Sequence, residues 1–306
     1  MNELEWIAVD WGTSNLRAFA MSSSDQILDR AQSERGMASL NSPDEFESAL
    51  VSLIDSWLPK SGGQISVISC GMVGAKQGWI EAPYQPVPCS PSTEKMTEAP
   101  VNDERFRFLI CPGVKQSSPK SDVMRGEETQ IAGLLRHSPG FSGLICLPGT
   151  HSKWVKLENG EIVEFQTFLT GELFELLSTK SVLRFSIGDL SGDSDSDVFL
   201  RAVSEAISDP ASISATLFSI RADDLLQKSG AASARSRLSG LLIGWELAAA
   251  QKWWAGDEPE IAIIGSSRVG KAYRKTLSVM GAQPELMDIE FMTLGGLCSA
   301  YRGLSA

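Results

Sequence analysis

Two stretches of the chain end a hydrophobic run in glycine and a hydroxyl residue. One is Asp10-Trp11-Gly12-Thr13-Ser14, the other Gly149-Thr150-His151-Ser152-Lys153. Glycine lets a backbone approach an anion closely, and free N–H and hydroxyl groups can donate to phosphate oxygens. A bare carboxylate at Asp10 would repel a phosphate, so Asp10 suits a Mg²⁺ ligand acting through water. The competing reading makes Asp10 an acid that stabilises its own turn. For the second stretch the competing reading is an ordinary hairpin, with His151 a hydrogen-bonded structural group.

Three further stretches carry chemistry. Ile263-Ile264-Gly265-Ser266-Ser267 is a small-residue turn against which a flat ligand could lie. "MRGEETQ" (124–130) brings a cation, a glycine and two acids to a helix start. Glu127 and Glu128 would project about 100° apart, so only one should face a site, and both also complement the helix dipole. "GMVGAKQGWIEAPY" (71–84) could wrap a small polar substrate, or be a connecting loop packed on its aromatics. Neither GxGxxG nor GxxxxGK[ST] occurs, so both nucleotide fingerprints are absent.

The elements that must hold these residues follow from periodicity. "EWIAVDWG", "LRAFAMSS" and "ILDRAQSE" read as three strands in a meander. Residues 42–58 read as a helix with Ser42 as N-cap, Pro43 at the first helical position and Glu45 three residues after Ser42, the spacing of a capping box. Strands are expected at "QISVISC" and "RFRFLICPGV", and a helix at 126–137. From "SGLICLPGT" onward come a strand, the Gly-Thr turn, a strand, an Asn159-Gly160 hairpin, a strand and a helix. Helices are then expected near 197–208, 219–228, 234–254 and 294–304, with a polar loop at "SIGDLSGDSDSD". "IAVDWGTSNLRAF" and "LICLPGTHSKWVK" repeat one design, Gly12-Thr13 matching Gly149-Thr150. That predicts two similar lobes, 1–138 and 139–306.

Composition narrows the partners. The 306 residues carry a net charge of -11, which argues against nucleic acid. No stretch approaches a membrane span. The five cysteines have no metal spacing and read as reduced thiols of a cytoplasmic protein, and two histidines exclude a histidine-rich metal site. Trp253-Trp254 reads as a core position or a homodimer contact.

The order of the motifs resembles the sugar-kinase, actin and heat-shock ATPase superfamily. "DWGTSNLRA", "GMVGAKQGW", "VMRGEETQ", "LPGTHSKWV", "TGEL" and "SGLLIG" look like those of the 2-dehydro-3-deoxygalactonokinases. The resemblance implies an α/β fold of two ribonuclease-H-like lobes with the nucleotide between them. It implies ATP and Mg²⁺, and transfer to the terminal hydroxyl of 2-keto-3-deoxygalactonate. By the same resemblance Asp10, Gly12, Thr13 and Ser14 handle metal and γ-phosphate, Gly149 and Thr150 the second phosphate motif, and Gly265 and Ser266 the adenosine. The base falls at Glu127, where many relatives in the superfamily have aspartate, with Glu128 the alternative. Arg125, Arg17 and then Lys76 are candidates for the substrate's carboxylate. The gluconate epimer is an alternative substrate, and a non-kinase actin-like ATPase or sugar-sensing regulator an alternative function.

Overall fold

A computed structural model describes residues 3–91, 95–190, 195–253 and 260–304. In chain order the first part comprises β1 (Leu4–Trp11), β2 (Leu16–Ser22), β3 (Ile27–Ser33), α1 (Asp44–Ile54), β4 (Ile65–Gly71), β5 (Tyr84–Pro86), β6 (Thr97–Ala99), β7 (Phe106–Ile110), β8 (Gly113–Gln116), β9 (Asp122–Met124) and α2 (Glu127–His137). The second comprises β10 (Gly143–Leu147), β11 (Ser152–Glu158), β12 (Glu161–Phe168), α3 (Thr170–Thr179), α4 (Arg184–Ile187), α5 (Ser196–Ser208), α6 (Ile213–Gln227), α7 (Ala231–Ala250), β13 (Ile261–Gly265), α8 (Ser267–Val279), β14 (Glu285–Asp288) and α9 (Ile289–Gly303).

The two larger sheets repeat one strand order. The first runs β3-β2-β1-β4-β7-β6 and the second β12-β11-β10-β13-β14. In each, an opening strand has its two hairpin successors on one side and crossover strands on the other. β1 pairs antiparallel with β2 and parallel with β4, and β10 pairs parallel with β13. The repeated Gly-Thr turn therefore marks a repeated sheet. Asn159 and Gly160 both take positive φ, 52° and 79°, as a tight two-residue hairpin turn requires.

Two compact units emerge. One holds residues 1–142, 156–165 and 288–306, the other 143–155 and 166–287. This differs from the single boundary expected near residue 138, because the last helix packs on the first unit. α9 crosses α2 where Gly296 abuts the Thr129 carbonyl and Gly133 the Met292 carbonyl, and a Cβ at either glycine would land on those oxygens. The other face of the first sheet buries Trp11, Phe46, Trp79 and Phe108 together. In the second unit Leu144, Cys146, Trp154, Ile243, Ile263 and Tyr273 form a core of their own.

Some local expectations change. The first helix has Pro43 at its N-terminal boundary with no side-chain cap, and Glu45 accepts from the Asn41 N–H at 3.2 Å instead of closing a box with Ser42. The helix expected at 234–254 starts earlier, at Ala231, and the last helix starts at Ile289 because Asp288 caps it through the Phe291 N–H. Trp253 packs partly buried on the second core, which favours the core reading over a dimer contact. Trp254 and part of the polar loop, 191–194, lie outside the described residues. All five cysteines are free thiols.

Candidate active site

β1 is buried from Trp6 to Val9, and Asp10 is the first polar side chain as the strand leaves the sheet. The Gly12 N–H donates to the Asn15 carbonyl at 2.9 Å and closes a tight turn. The carbonyls of Gly12, Thr13 and Ser14 accept from the N–H groups of Met37, Ala38 and Gly36. With its acceptors occupied, the turn presents donors. The amides and hydroxyls of the exposed Thr13 and Ser14 have no protein partner among the described residues. That is the arrangement a phosphate needs. Gly36 makes it possible, since a Cβ there would fall on the backbone of Thr13 to Asn15.

Asp10 faces Arg17 across the β1–β2 pair, with Oδ2 and Nη1 3.2 Å apart. Removal from water pushes the Asp10 carboxyl above its ordinary range, Arg17 opposes this, and Glu290 at the start of α9 adds to it. Asp10, Arg17, Phe19, Ile289, Glu290, Thr293 and Leu294 line a small hollow.

The start of α2 lies against the ends of β1 and β4. Gly71, at φ 91°, would put a Cβ 2.7 Å from the Trp11 carbonyl, and Gly126, at φ 102°, one 3.4 Å from the Gly71 Cα. Both acids turn back on the helix start. Glu127 accepts from the Arg125 N–H at 3.0 Å, and Glu128 accepts from the Gly126 N–H at 2.7 Å and the Thr129 hydroxyl at 3.0 Å. Their surroundings differ as the helical offset predicts. Glu128 is buried, which together with Glu127 pushes its carboxyl up to about 7. Glu127 is half-buried.

Arg125 is only 9% exposed. Its Nη2 donates to the Ala82 carbonyl at 2.6 Å and its guanidinium lies over the Tyr84 ring, 4.3 Å from the centroid. Nε and Nη1 have no hydrogen-bond partner among the described residues. Two unpaired donors on a buried cation are costly unless an anion completes them. The 71–84 loop carries elements of both readings. Trp79 is sunk in the aromatic core, while Lys76 and Gln77 stand exposed at its tip.

In the second unit Gly149 and Thr150 form an exposed turn after β10. The Glu172 N–H donates to the Thr150 carbonyl at 2.9 Å, and a Cβ on Gly171 would fall on the Gly149 carbonyl. Gly171 thus repeats the part of Gly36, each three residues beyond the third strand of its meander. Gly265 ends β13 beside Pro148, which a Cβ would meet at 3.4 Å, and Ser266 stands exposed at the N-cap of α8. The two turns therefore sit side by side at the carboxyl ends of adjacent parallel strands, where α/β sheets bind ligands. His151 pairs with Glu172 at 2.6 Å, and the buried Lys153 donates to the His151 carbonyl.

Three contributors escaped the sequence reading. Gly36 carries no local signal. Glu246 and Tyr273 lie buried behind the second turn, and the one hint was a lone acid in the apolar run "LLIGWELAAA".

Comparisons with known proteins agree with this picture. A xylulose kinase structure from Lactobacillus acidophilus shares the fold, with a TM-score of 0.53, 10% identity, and coverage of 98% of this chain and 89% of that one. The fold, two sheets of one strand order with helices, is that of sugar kinases of the actin-like ATPase type. The family model described as 2-keto-3-deoxy-galactonokinase matches residues 10–300, and the chain belongs to that family. A Rhizobium meliloti (strain 1021) relative, "Probable 2-dehydro-3-deoxygalactonokinase DgoK1", is 35% identical over 305 residues, covering 98% of this chain and 97% of its own. The Escherichia coli (strain K12) 2-dehydro-3-deoxygalactonokinase is 34% identical over 279 residues, 90% of each chain. A crystal structure of a 2-dehydro-3-deoxygalactonokinase protein from Sinorhizobium meliloti has a TM-score of 0.89 at 34% identity, covering 98% of this chain and 99% of that one.

Proposed function

We propose that this kinase transfers the γ-phosphoryl group of ATP to the terminal, 6-hydroxyl of 2-dehydro-3-deoxy-D-galactonate, a step of galactonate catabolism. The observation that carries the sugar-acid assignment is Arg125, with two buried guanidinium nitrogens unpaired. A carboxylate accepts charge-assisted hydrogen bonds from such buried donors. Arg17 is engaged with Asp10 and Lys76 is exposed, so Arg125 leads the candidates.

Thr13 and Ser14 offer outward donors to a phosphate, the exposed Gly149-Thr150 turn is the second phosphate motif, and Gly265 and Ser266 take the adenosine. Glu127 at the start of α2 accepts the proton of the attacking hydroxyl. Glu128, bonded to the Gly126 N–H, holds that helix start in place. Asp10 suits Mg²⁺, since its Oδ1 has no partner among the described residues and oxygen is the donor the ion prefers. Among the described residues no three acidic, histidine or cysteine side chains converge for direct chelation, which favours contact through water. When bound, the ion supplies charge neutralisation on the transferring phosphoryl.

A cytoplasmic location is supported by the five free thiols, and no helix among the described residues is long and apolar enough to cross a membrane. A coupled assay of ADP release tests the function, with the galactonate-derived and gluconate-derived keto acids offered separately. Turnover on the first with ATP is expected. Turnover only on the second, or on plain hexoses, overturns the substrate, and substrate-independent hydrolysis overturns the kinase.

A further inference from the structure

The second unit contains a buried carboxylate that no step above uses. Glu246, near the C-terminal end of α7, is 3% exposed. Its Oε1 accepts from Trp154 Nε1 at 2.8 Å, and its Oε2 accepts from the Tyr273 hydroxyl at 2.7 Å and from the Thr170 hydroxyl. Tyr273 also meets the Ser152 hydroxyl at 3.3 Å. Burial pushes the Glu246 carboxyl up, while hydrogen bonds from Thr170, Tyr273, Trp154 and Ser152 hold it down.

The partners are the informative part. Thr170 opens α3 and precedes Gly171 and Glu172, the two residues whose backbone seats the Gly149-Thr150 turn. Tyr273 lies on α8, whose N-cap is Ser266. One carboxylate therefore bonds to the element behind the phosphate turn and to the helix behind the adenosine turn. A core of this size is filled more cheaply by an apolar side chain than by a carboxylate, and such networks can specify one arrangement.

We propose that Glu246 is a positioning residue for the nucleotide: through Thr170 and Tyr273 it holds the Gly149-Thr150 and Gly265-Ser266 turns in mutual register. The nucleotide part rests on the reading of those turns given above.

Thr170→Val and Tyr273→Phe each delete one hydroxyl and little volume. Three quantities decide the matter: amide hydrogen exchange of the ligand-free protein, the Kd for ATP, and the KM for the keto acid. Each variant should speed exchange at residues 149–152 and 265–268. Each should weaken ATP about fivefold, the effect of one lost hydrogen bond, with the keto-acid KM within twofold. Because both act through Glu246, the double variant should lose less than the product of the two. Lowered thermal stability with unchanged exchange at those residues and unchanged ATP affinity would reduce Glu246 to core packing and overturn the proposal. If the unmodified protein binds no ATP, the nucleotide reading fails, and exchange at the two segments still decides whether Glu246 positions them.

Discussion

Arg17 Nη1 lies 3.2 Å from Asp10 Oδ2, directly across the first two strands of the opening sheet. Arg17 is exposed and Asp10 half-buried, and a pair with this much solvent contact adds about 0–1 kcal/mol to stability. Asp10→Asn should therefore leave thermal unfolding nearly unchanged. Its effect belongs to chemistry, and kcat should fall by about a hundredfold or more, equivalent to about 2.7 kcal/mol of barrier. Thermal melts beside steady-state kinetics check both halves, and a large melting shift with normal kcat would make Asp10 a structural acid.

Arg125→Met removes a buried guanidinium with two unpaired donors. Hydrogen bonds to charged groups are worth about 1.5–3 kcal/mol. The keto-acid KM should accordingly rise about tenfold to a hundredfold, with little change in the KM for ATP. Arg125→Lys should not restore it, because an ammonium lacks the planar fork. Kinetics with each substrate varied in turn measure the split.

Glu127→Gln should lower kcat by about 10² or more while ATP still binds. Glu128→Gln should retain more activity, because Gln can still accept from the Gly126 N–H. The reverse order of damage would move the base by one residue.

Glu128 also makes a pH prediction. Its carboxyl rises from the ordinary 4.5 to about 7 on folding. Between those values the folded state binds the extra proton, so its contribution to stability falls as pH rises. The wild type should be most stable relative to Glu128→Gln near pH 4.5. That advantage should shrink by about 3 kcal/mol by pH 7 and change little beyond. Denaturant unfolding of both proteins across this range gives the difference, and a flat difference would place Glu128 in contact with water.

Gly36→Ala and Gly171→Ala place a methyl on the backbone of the Thr13–Asn15 and Gly149-Thr150 turns. Overpacking of this kind costs about 1–3 kcal/mol, and the displaced turn should also raise the KM for ATP. Gly140→Ala, which meets open space, serves as the control. Equal behaviour of all three would show that the turns are not seated by these glycines.

Much of the site was legible because its signals are local. A hydrophobic run ending in Asp10 and Gly12, or in Gly149, announces a strand and its turn whatever surrounds it. The Asn159-Gly160 hairpin and the helix opening at Glu127 are equally local. The ends of helices were less legible: Asp288 caps the last helix, and Glu45 accepts from the Asn41 N–H in place of that of Ser42. The return of the last helix to the first unit was not legible, because the packing of α9 on α2 depends on a crossing of two helices far apart in sequence.

By itself the sequence determined which residue types could meet a phosphate, a base or a carboxylate, and on what elements they sit. Periodicity and turn chemistry act over a few residues and survive any rearrangement at long range. Only the tertiary structure decided which acid is buried, that Arg17 is held by Asp10, and that Arg125 keeps two unpaired donors. It alone brought Glu246 to Thr170 and Tyr273, 76 and 27 residues away. Burial and pairing are set by what packs against a side chain, and that is a property of the whole fold.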